Sequence, residues 1–234
     1  MTGDCMKNYF KDWTLFEKLI LTLGLSVTAA VSILTHSTLL SLINGICNIL
    51  NSVLSAKGKI SNYYFGIIGN IIYLYISYTT RYYSEVITVL FIVLPISIYG
   101  LINWLKGRRN EESDSVSINS PTAKAILIPI LSQVVMSVPY YLMLKHFNSD
   151  LLIVSAFGMC VTILAFYFMA KAYTVFNYFF IINAITRMIM WIVPMLKGDF
   201  ANVPLFLSNL IYLINDIYSL FNWKRMEKQQ NQTR

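Results

Sequence analysis

Apolar residues in this chain come in eight blocks divided by short polar breaks: 15–35, 38–56, 61–79, 84–105, 121–145, 150–172, 175–195 and 202–223. Each holds about 19 to 25 residues, which at helical rise spans roughly 28 to 37 Å, enough to cross the hydrocarbon core of a bilayer. The pattern predicts eight transmembrane helices and an all-α integral membrane protein. Most breaks are too short for a domain outside the lipid, and the one longer connection, 106–120, is charged and rich in serine.

The blocks repeat. Gly45-Ile46-Cys47 returns as Gly158-Met159-Cys160, Ala56-Lys57 as Ala170-Lys171, and Asn62-Tyr63-Tyr64-Phe65 as Asn177-Tyr178-Phe179-Phe180, at offsets of 113 to 115. Tyr99 to Trp104 answers Tyr218 to Trp223 at an offset of 119, with Asn103 matching Asn222. Corresponding helices are four crossings apart, an even number, so the two halves run the same way through the membrane. Parallel repeats of this kind are related by an axis along the membrane normal and form a site near the midplane.

Polar positions inside the blocks point to that site. In the second block Ser37, Ser41, Asn44, Asn48, Asn51 and Ser55 follow one another at steps of three and four, a single helical face. In the eighth, Asn202, Asn209, Asp216 and Trp223 recur every seven residues, with Tyr212 and Ser219 on the same stripe. Polar side chains in hydrocarbon need each other, water or a ligand, so both faces should turn inward. Asn48, Asn70, Gln133 and Asn183 fall within about two residues, roughly 3 Å, of the centres of their blocks. Amides both donate and accept, which suits hydroxyls and carboxamides on a solute; the competing reading is that these amides only tie helices together. Arg187 is costly in a membrane. It calls for Asp216 or Glu85 as an ion-pair partner, an anionic group on the solute, or a gating role. Trp191 shares a face with Asn183 and Arg187 and could stack on a flat or cationic ring. Trp13, Trp104 and Trp223 lie near block ends, where interfacial anchors belong. The candidate binding set is Asn48, Asn70, Gln133, Asn183, Arg187, Trp191, Asn209, Tyr212 and Asp216.

Composition agrees with lipid: 56% of residues are hydrophobic and only 12% charged, against about 25% charged in soluble domains. The net charge of +7 is distributed in a way that excludes nucleic-acid binding. With the N-terminus placed inside, fourteen Lys and Arg fall on the inner side and three (Arg81, Lys145, Lys197) on the outer. This is the positive-inside signature, so both termini should be cytoplasmic in a multi-pass protein of the cell membrane. The first block follows a mixed-charge N-terminus and lacks a clear small-residue cleavage site, so it reads as a retained span. Cys5, Cys47 and Cys160 have neither disulfide nor metal spacing. No phosphate-binding loop, metal-ligand spacing or nucleophile elbow is present, which argues against an enzyme and against a bound cofactor or metal. His36 and His146 sit at outer block edges, and no chain of mid-membrane carboxylates marks a proton relay. Facilitated diffusion of a small solute is the simplest mechanism. A non-transporting receptor or assembly subunit remains the contrasting reading, and a homo-oligomer is compatible with either.

Residues 38 to 226 resemble the PnuC family of nicotinamide riboside transporters. The resemblance rests on Ala56-Lys57-Gly58-Lys59 followed by Asn62 to Gly66, on Tyr82-Tyr83-Ser84-Glu85, on Pro95 with Gly100 and Trp104, and on Leu213 to Tyr218 with Asn222-Trp223. It implies a fold like a full-length SWEET sugar transporter, with two parallel three-helix bundles and a linking helix. The chain then divides into an N-terminal segment with one extra span (1–37), a first bundle (38–105), a loop (106–120), the link (121–145), a second bundle (150–226) and a tail (227–234). It also implies passive uptake of nicotinamide riboside, trapped by intracellular phosphorylation, with Asn and Gln side chains and aromatics holding the substrate; Asn48, Gln133, Asn183, Trp191 and Asn209 occupy suitable levels. Many members carry two Trp residues six and three positions before the helix-seven Asn, where this chain has Asn177 and Phe180. Thiamine, riboflavin or a deoxynucleoside on the same scaffold stays open.

Overall fold

The computed structural model describes residues 13–34, 38–81, 83–109, 114–146, 151–198 and 203–232. Eight helices fill most of them: α1 (Leu15–Leu34), α2 (Leu39–Ala56), α3 (Asn62–Thr79), α4 (Tyr83–Thr88, Val89–Val93 and Leu94–Lys106 in one run), α5 (Ala123–His146), α6 (Leu152–Ala170), α7 (Phe176–Leu196) and α8 (Val203–Gln232). All except α3 and α8 have the length and apolarity to cross a membrane on their own. The middle piece of α4 is a π-turn immediately before Pro95. Proline has no N–H to give, and the wider turn absorbs the missing bond.

Six helices close into a ring. α2 lies against α3, α3 against α4, α4 against α6, α6 against α7, α7 against α8, and α8 returns to α2. The halves α2–α4 and α6–α8 therefore meet at two seams, α8 on α2 and α4 on α6, which exchange under the repeat. Two helices stand outside the ring: α1 covers α2 and α8, whereas α5, among the described helices, packs on α6.

The repeated Asn-Trp pair builds both seams. A helix leaves its last carbonyls without intrahelical partners, and the opposite half adds side-chain donors to them. Trp104 Nε1 donates to Met169 O (2.7 Å) and Asn103 Nδ2 to Ala170 O (2.9 Å) at the end of α6. Trp223 Nε1 donates to Ser55 O (3.0 Å) and Asn222 Nδ2 to Ala56 O (2.9 Å) at the end of α2. Both indoles are 0% exposed. This corrects the reading of Trp104 and Trp223 as interfacial anchors, and Trp13 is buried as well. Their place near a block end reflects a seam, not a lipid headgroup.

The connection after α4 is a strap, not a loose loop. Ser61 donates to the Asp114 carboxylate from both its N (2.9 Å) and its Oγ (2.6 Å), and Val116 N donates to Gly58 O (3.0 Å). Further along, Asn119 N donates to Ala172 O (3.0 Å), and Gln230 pairs with both the N and the O of Ile118 at 2.9 Å. Gly58 (φ 65°) and its repeat counterpart Ala172 (φ 54°) turn left-handed so that these two carbonyls face the strap. Val116 and Ile118 are buried in one core with Tyr63, Trp104, Phe168, Phe176 and Trp223. That core draws on α3, α4, α6, α7, α8 and the strap together, so the ring has no passage at this end. The same end carries Lys57, Arg108, Lys171, Lys224 and Arg225 and is called the basic end below.

Candidate functional site

Each ring helix has a side for lipid and a side for the interior. α7 exposes Tyr178, Ile182, Ile185, Ile189 and Ile192; Asn183, Arg187 and Trp191, at steps of four, occupy the opposite side and face into the ring. α8 exposes Leu207, Leu210, Ile214, Ile217 and Phe221, which turns Asn209, Tyr212 and Asp216 inward. α3 exposes Tyr64, Ile68, Ile71, Tyr75 and Tyr78 along one stripe; Tyr73, also exposed at 36%, stands on the opposite side of the helix. On α2, Asn48 Nδ2 donates to Asn44 Oδ1 (3.4 Å), and both oxygens lie against Gly69 of α3, where a Cβ would come within 3.4 and 3.5 Å of them. Glycine there lets α2 and α3 approach closely enough to hold the two amides.

The resulting chamber has a floor. Trp223 and its aromatic neighbours close it about 10 Å below Asp216, seven residues along α8 at helical rise. Arg187, eleven residues or about 17 Å from the start of α7, is exposed although it faces inward.

Arg187 makes no ion pair with Asp216, which overturns that expectation, and the Glu85 side chain lies outside the described residues. The physical reason is the exposure of Arg187: a guanidinium that keeps its water has no burial cost to offset. The common electrostatic neighbour of Arg187 and Asp216 is Tyr212. Asn183 is buried (9% exposed), and its Oδ1 accepts from Thr162 Oγ1 (3.0 Å) on α6. Asn209 is buried at 8%, and Trp191 is half-buried.

Two candidates go elsewhere. Asn70 Nδ2 donates to Ser97 Oγ (3.4 Å), whose own proton goes to Val93 O (2.8 Å), so it fastens α3 to α4 beside the π-turn. Gln133 sits on α5, outside the ring; its backbone carbonyl accepts from Cys160 Sγ (3.4 Å), and its Oε1 is buried without a hydrogen bond among the described residues. Lower on the α2 stripe, Asn51 donates to Asn62 O (2.9 Å) and Ser55 to Met169 Sδ (3.9 Å), both structural. Ser37 and Asn202 lie outside the described residues, as do His36 and Cys5. Tyr73 and Thr162 were not singled out from sequence. A lone Thr in an apolar helix carries no periodic signal, and Tyr73 is one tyrosine among several on α3.

A family model described as nicotinamide mononucleotide transporter matches residues 38–225, the ring, the strap and α5 together. The chain belongs to this family. Curated relatives include the nicotinamide riboside transporter PnuC of Neisseria mucosa, 29% identical over 228 residues that cover 96% of this chain and 87% of that one. A protein of the same name from Haemophilus influenzae is 26% identical over 229 residues, 96% of each chain. Among solved structures, the crystal structure of the vitamin B3 transporter PnuC matches with a TM-score of 0.78 and 28% identity, over 98% of this chain and 99% of the other. As a member of the family, the chain is a multi-pass membrane transporter and not an enzyme.

Proposed function

We propose that this transporter carries nicotinamide riboside across the cell membrane by facilitated diffusion, with the basic end and both termini in the cytoplasm and phosphorylation inside the cell trapping the product. The observation that carries this reading is the inward polar side of α7 and α8, set in a ring whose basic end is filled by an aromatic core. Asn183, Asn209 and Asn48 offer donors and acceptors for ribose hydroxyls and a carboxamide. Trp191, Tyr212 and Tyr73 offer faces for a cationic pyridinium ring. The family's descriptive name includes a mononucleotide, and electrostatics separates the two solutes. A mononucleotide adds a phosphate, and the inward faces of α7 and α8 offer it one arginine, whereas phosphate sites gather several cations or backbone N–H groups. The riboside fits better.

Another vitamin on the same scaffold is the second reading, favoured by Asn177 and Phe180. Asn177 is 0% exposed, takes the Ser219 hydroxyl proton on its Oδ1 and donates to Thr174 O (2.9 Å). Phe180 packs edge-on against Phe166 and Phe176. Neither is available to a ligand, so ring stacking falls to other residues, and thiamine shares the chemistry of a cationic ring with a hydroxyl. Calorimetry on the purified protein with nicotinamide riboside, its mononucleotide, thiamine and riboflavin decides between them; tightest binding of the riboside is the expected result. In vesicles, uptake should survive collapse of ion gradients, and in cells it should lead to accumulation only when the riboside kinase is present. Uptake abolished by an uncoupler at constant ATP rejects the passive mechanism.

A further inference from the structure

We propose that the outer side of the seam between α4 and α6 binds an anionic phospholipid, whose headgroup phosphate bridges the Lys171 ammonium and the Tyr99 hydroxyl. The site is independent of which solute the transporter carries.

Its pattern is set by the other seam. Where α8 meets α2, Glu17 of α1 takes the Lys57 ammonium on one carboxylate oxygen (2.6 Å) and the Tyr218 hydroxyl on the other (2.7 Å). Under the repeat, Lys57 corresponds to Lys171 at an offset of 114 and Tyr218 to Tyr99 at 119. The second seam therefore holds the same two donors, and among the described residues no carboxylate stands between them. Lys171 Nζ donates to the Tyr99 hydroxyl directly. That bond uses one of three ammonium hydrogens and only the acceptor side of the hydroxyl, so both groups keep a hydrogen to give to an anion.

The missing carboxylate follows from the helix that precedes each bundle. α1 packs on α2 and α5 on α6, but α1 also reaches α8 across its seam, whereas α5 does not reach α4 among the described helices. Ala123–His146 also contains no acidic residue. The first seam is thus covered, its ion pair 8% and 3% exposed. The second faces outward, with Tyr99 42% exposed. Lys171 directly follows Leu152–Ala170, a span long enough to cross the membrane, and so stands at headgroup level. Lys106 ends α4 and Lys124 lies in the first turn of α5, both exposed at the same end, which makes the approach cationic. Basic sites of this kind between spans suit anionic headgroups. Further up α4, Ile98 and Phe91 are 48% and 69% exposed and offer apolar surface to the acyl chains. A zwitterionic lipid brings its own cation to this basic surface, so the net-anionic headgroup is preferred.

The test titrates full-length protein in a neutral detergent with phosphatidylglycerol or phosphatidylcholine, counts retained lipid by native mass spectrometry and records a thermal melt. Wild type should retain one phosphatidylglycerol per chain and melt higher with it, and phosphatidylcholine should do neither. Lys171→Gln should weaken phosphatidylglycerol about tenfold, the loss of one charge-assisted hydrogen bond. Tyr99→Phe should weaken it about three- to fivefold. Lys224→Gln, an exposed lysine at the same end but on α8, should stay within about twofold of wild type. If Lys171→Gln binds as wild type, or Lys224→Gln loses as much, the basic end attracts lipid only by its overall charge and the site is wrong. Equal retention of phosphatidylcholine rejects the anionic class. If inorganic phosphate alone reproduces the rise in melting temperature, the seam takes a free anion and the lipid assignment falls. Should Lys171→Gln not fold, Lys171→Met replaces it with the same expectation.

Discussion

Lys57 and Glu17 form a buried ion pair, Nζ to Oε2 at 2.6 Å, with side chains 8% and 3% exposed. The other carboxylate oxygen accepts from the Tyr218 hydroxyl (2.7 Å), and Trp13 lies under the ammonium at 5.1 Å. Under the repeat, Lys57 and Tyr218 correspond to Lys171 and Tyr99. Those two touch directly, with Lys171 Nζ donating to the Tyr99 hydroxyl, and that bond raises the Lys171 pKa above its ordinary value. α1 thus inserts a carboxylate into one seam, α8 on α2, and leaves the other as a bare lysine–tyrosine contact.

Glu17→Gln should destabilise the protein by about 3 to 5 kcal/mol, because it strands a buried ammonium. Replacing both partners, Glu17→Leu with Lys57→Met, should recover most of that loss. Thermal melts in a single detergent check both.

Trp104→Phe and Trp223→Phe each remove one indole donor, while Met169 O keeps the Ala172 N–H and Ser55 O keeps the Gly58 N–H. Each should cost about 0.5 to 1.5 kcal/mol, the net worth of one hydrogen bond. The double variant should add the two losses, provided the seams behave as separate contacts. Denaturant unfolding of the four proteins measures it.

Tyr63→Phe should be neutral or stabilising. Gly100 stands where the second half has Ser219, and a Cβ there would collide with the Tyr63 ring. Ser219 satisfies Asn177 in the second half, whereas Asn62 Oδ1 and the Tyr63 hydroxyl in the first are buried without hydrogen bonds among the described residues. Removing an unmatched hydroxyl relieves a desolvation cost of about 1 to 3 kcal/mol, so the melting temperature should hold or rise. A fall of several degrees would place an unseen donor or acceptor against the tyrosine.

Arg187→Ala and Asp216→Asn should not rescue one another, since the two groups are unpaired. Each should alter riboside affinity, and Arg187→Ala, an exposed substitution, should move stability by no more than about 0.5 kcal/mol. Recovery of expression only in the double variant would contradict this.

Much of the architecture was readable because repetition and periodicity are properties of the chain itself. The Asn-Trp matches marked the duplicated halves, and the stripe on α8 and the Asn183–Arg187–Trp191 face of α7 turned inward because lipid takes the Ile, Leu and Phe side chains opposite them, whereas the lower part of the α2 stripe, Asn51 and Ser55, went into helix contacts. Depth proved a weaker guide, since it fixes a level but not which side of the ring a residue is on. Gln133 has the right level on a helix outside the ring, and Asn70 has it on a flank that meets Ser97. Trp104 and Trp223 were misread because interface and seam both lie near block ends. The strap escaped notice since Val116 and Ile118 are only two apolar residues among serines. Val89–Val93 itself is uniformly apolar and does not show a π-turn; the mark of it is Pro95, two residues further on.

The strap also limits travel. From Val116, hooked to Gly58 on one half, to Asn119, hooked to Ala172 on the other, is three residues, a leash of at most about 11 Å when taut. While both hooks hold, the walls at the basic end cannot spread further than that reach. Discharge of cargo on that side must either squeeze through a gap set by the leash or begin by unbuckling one end of it.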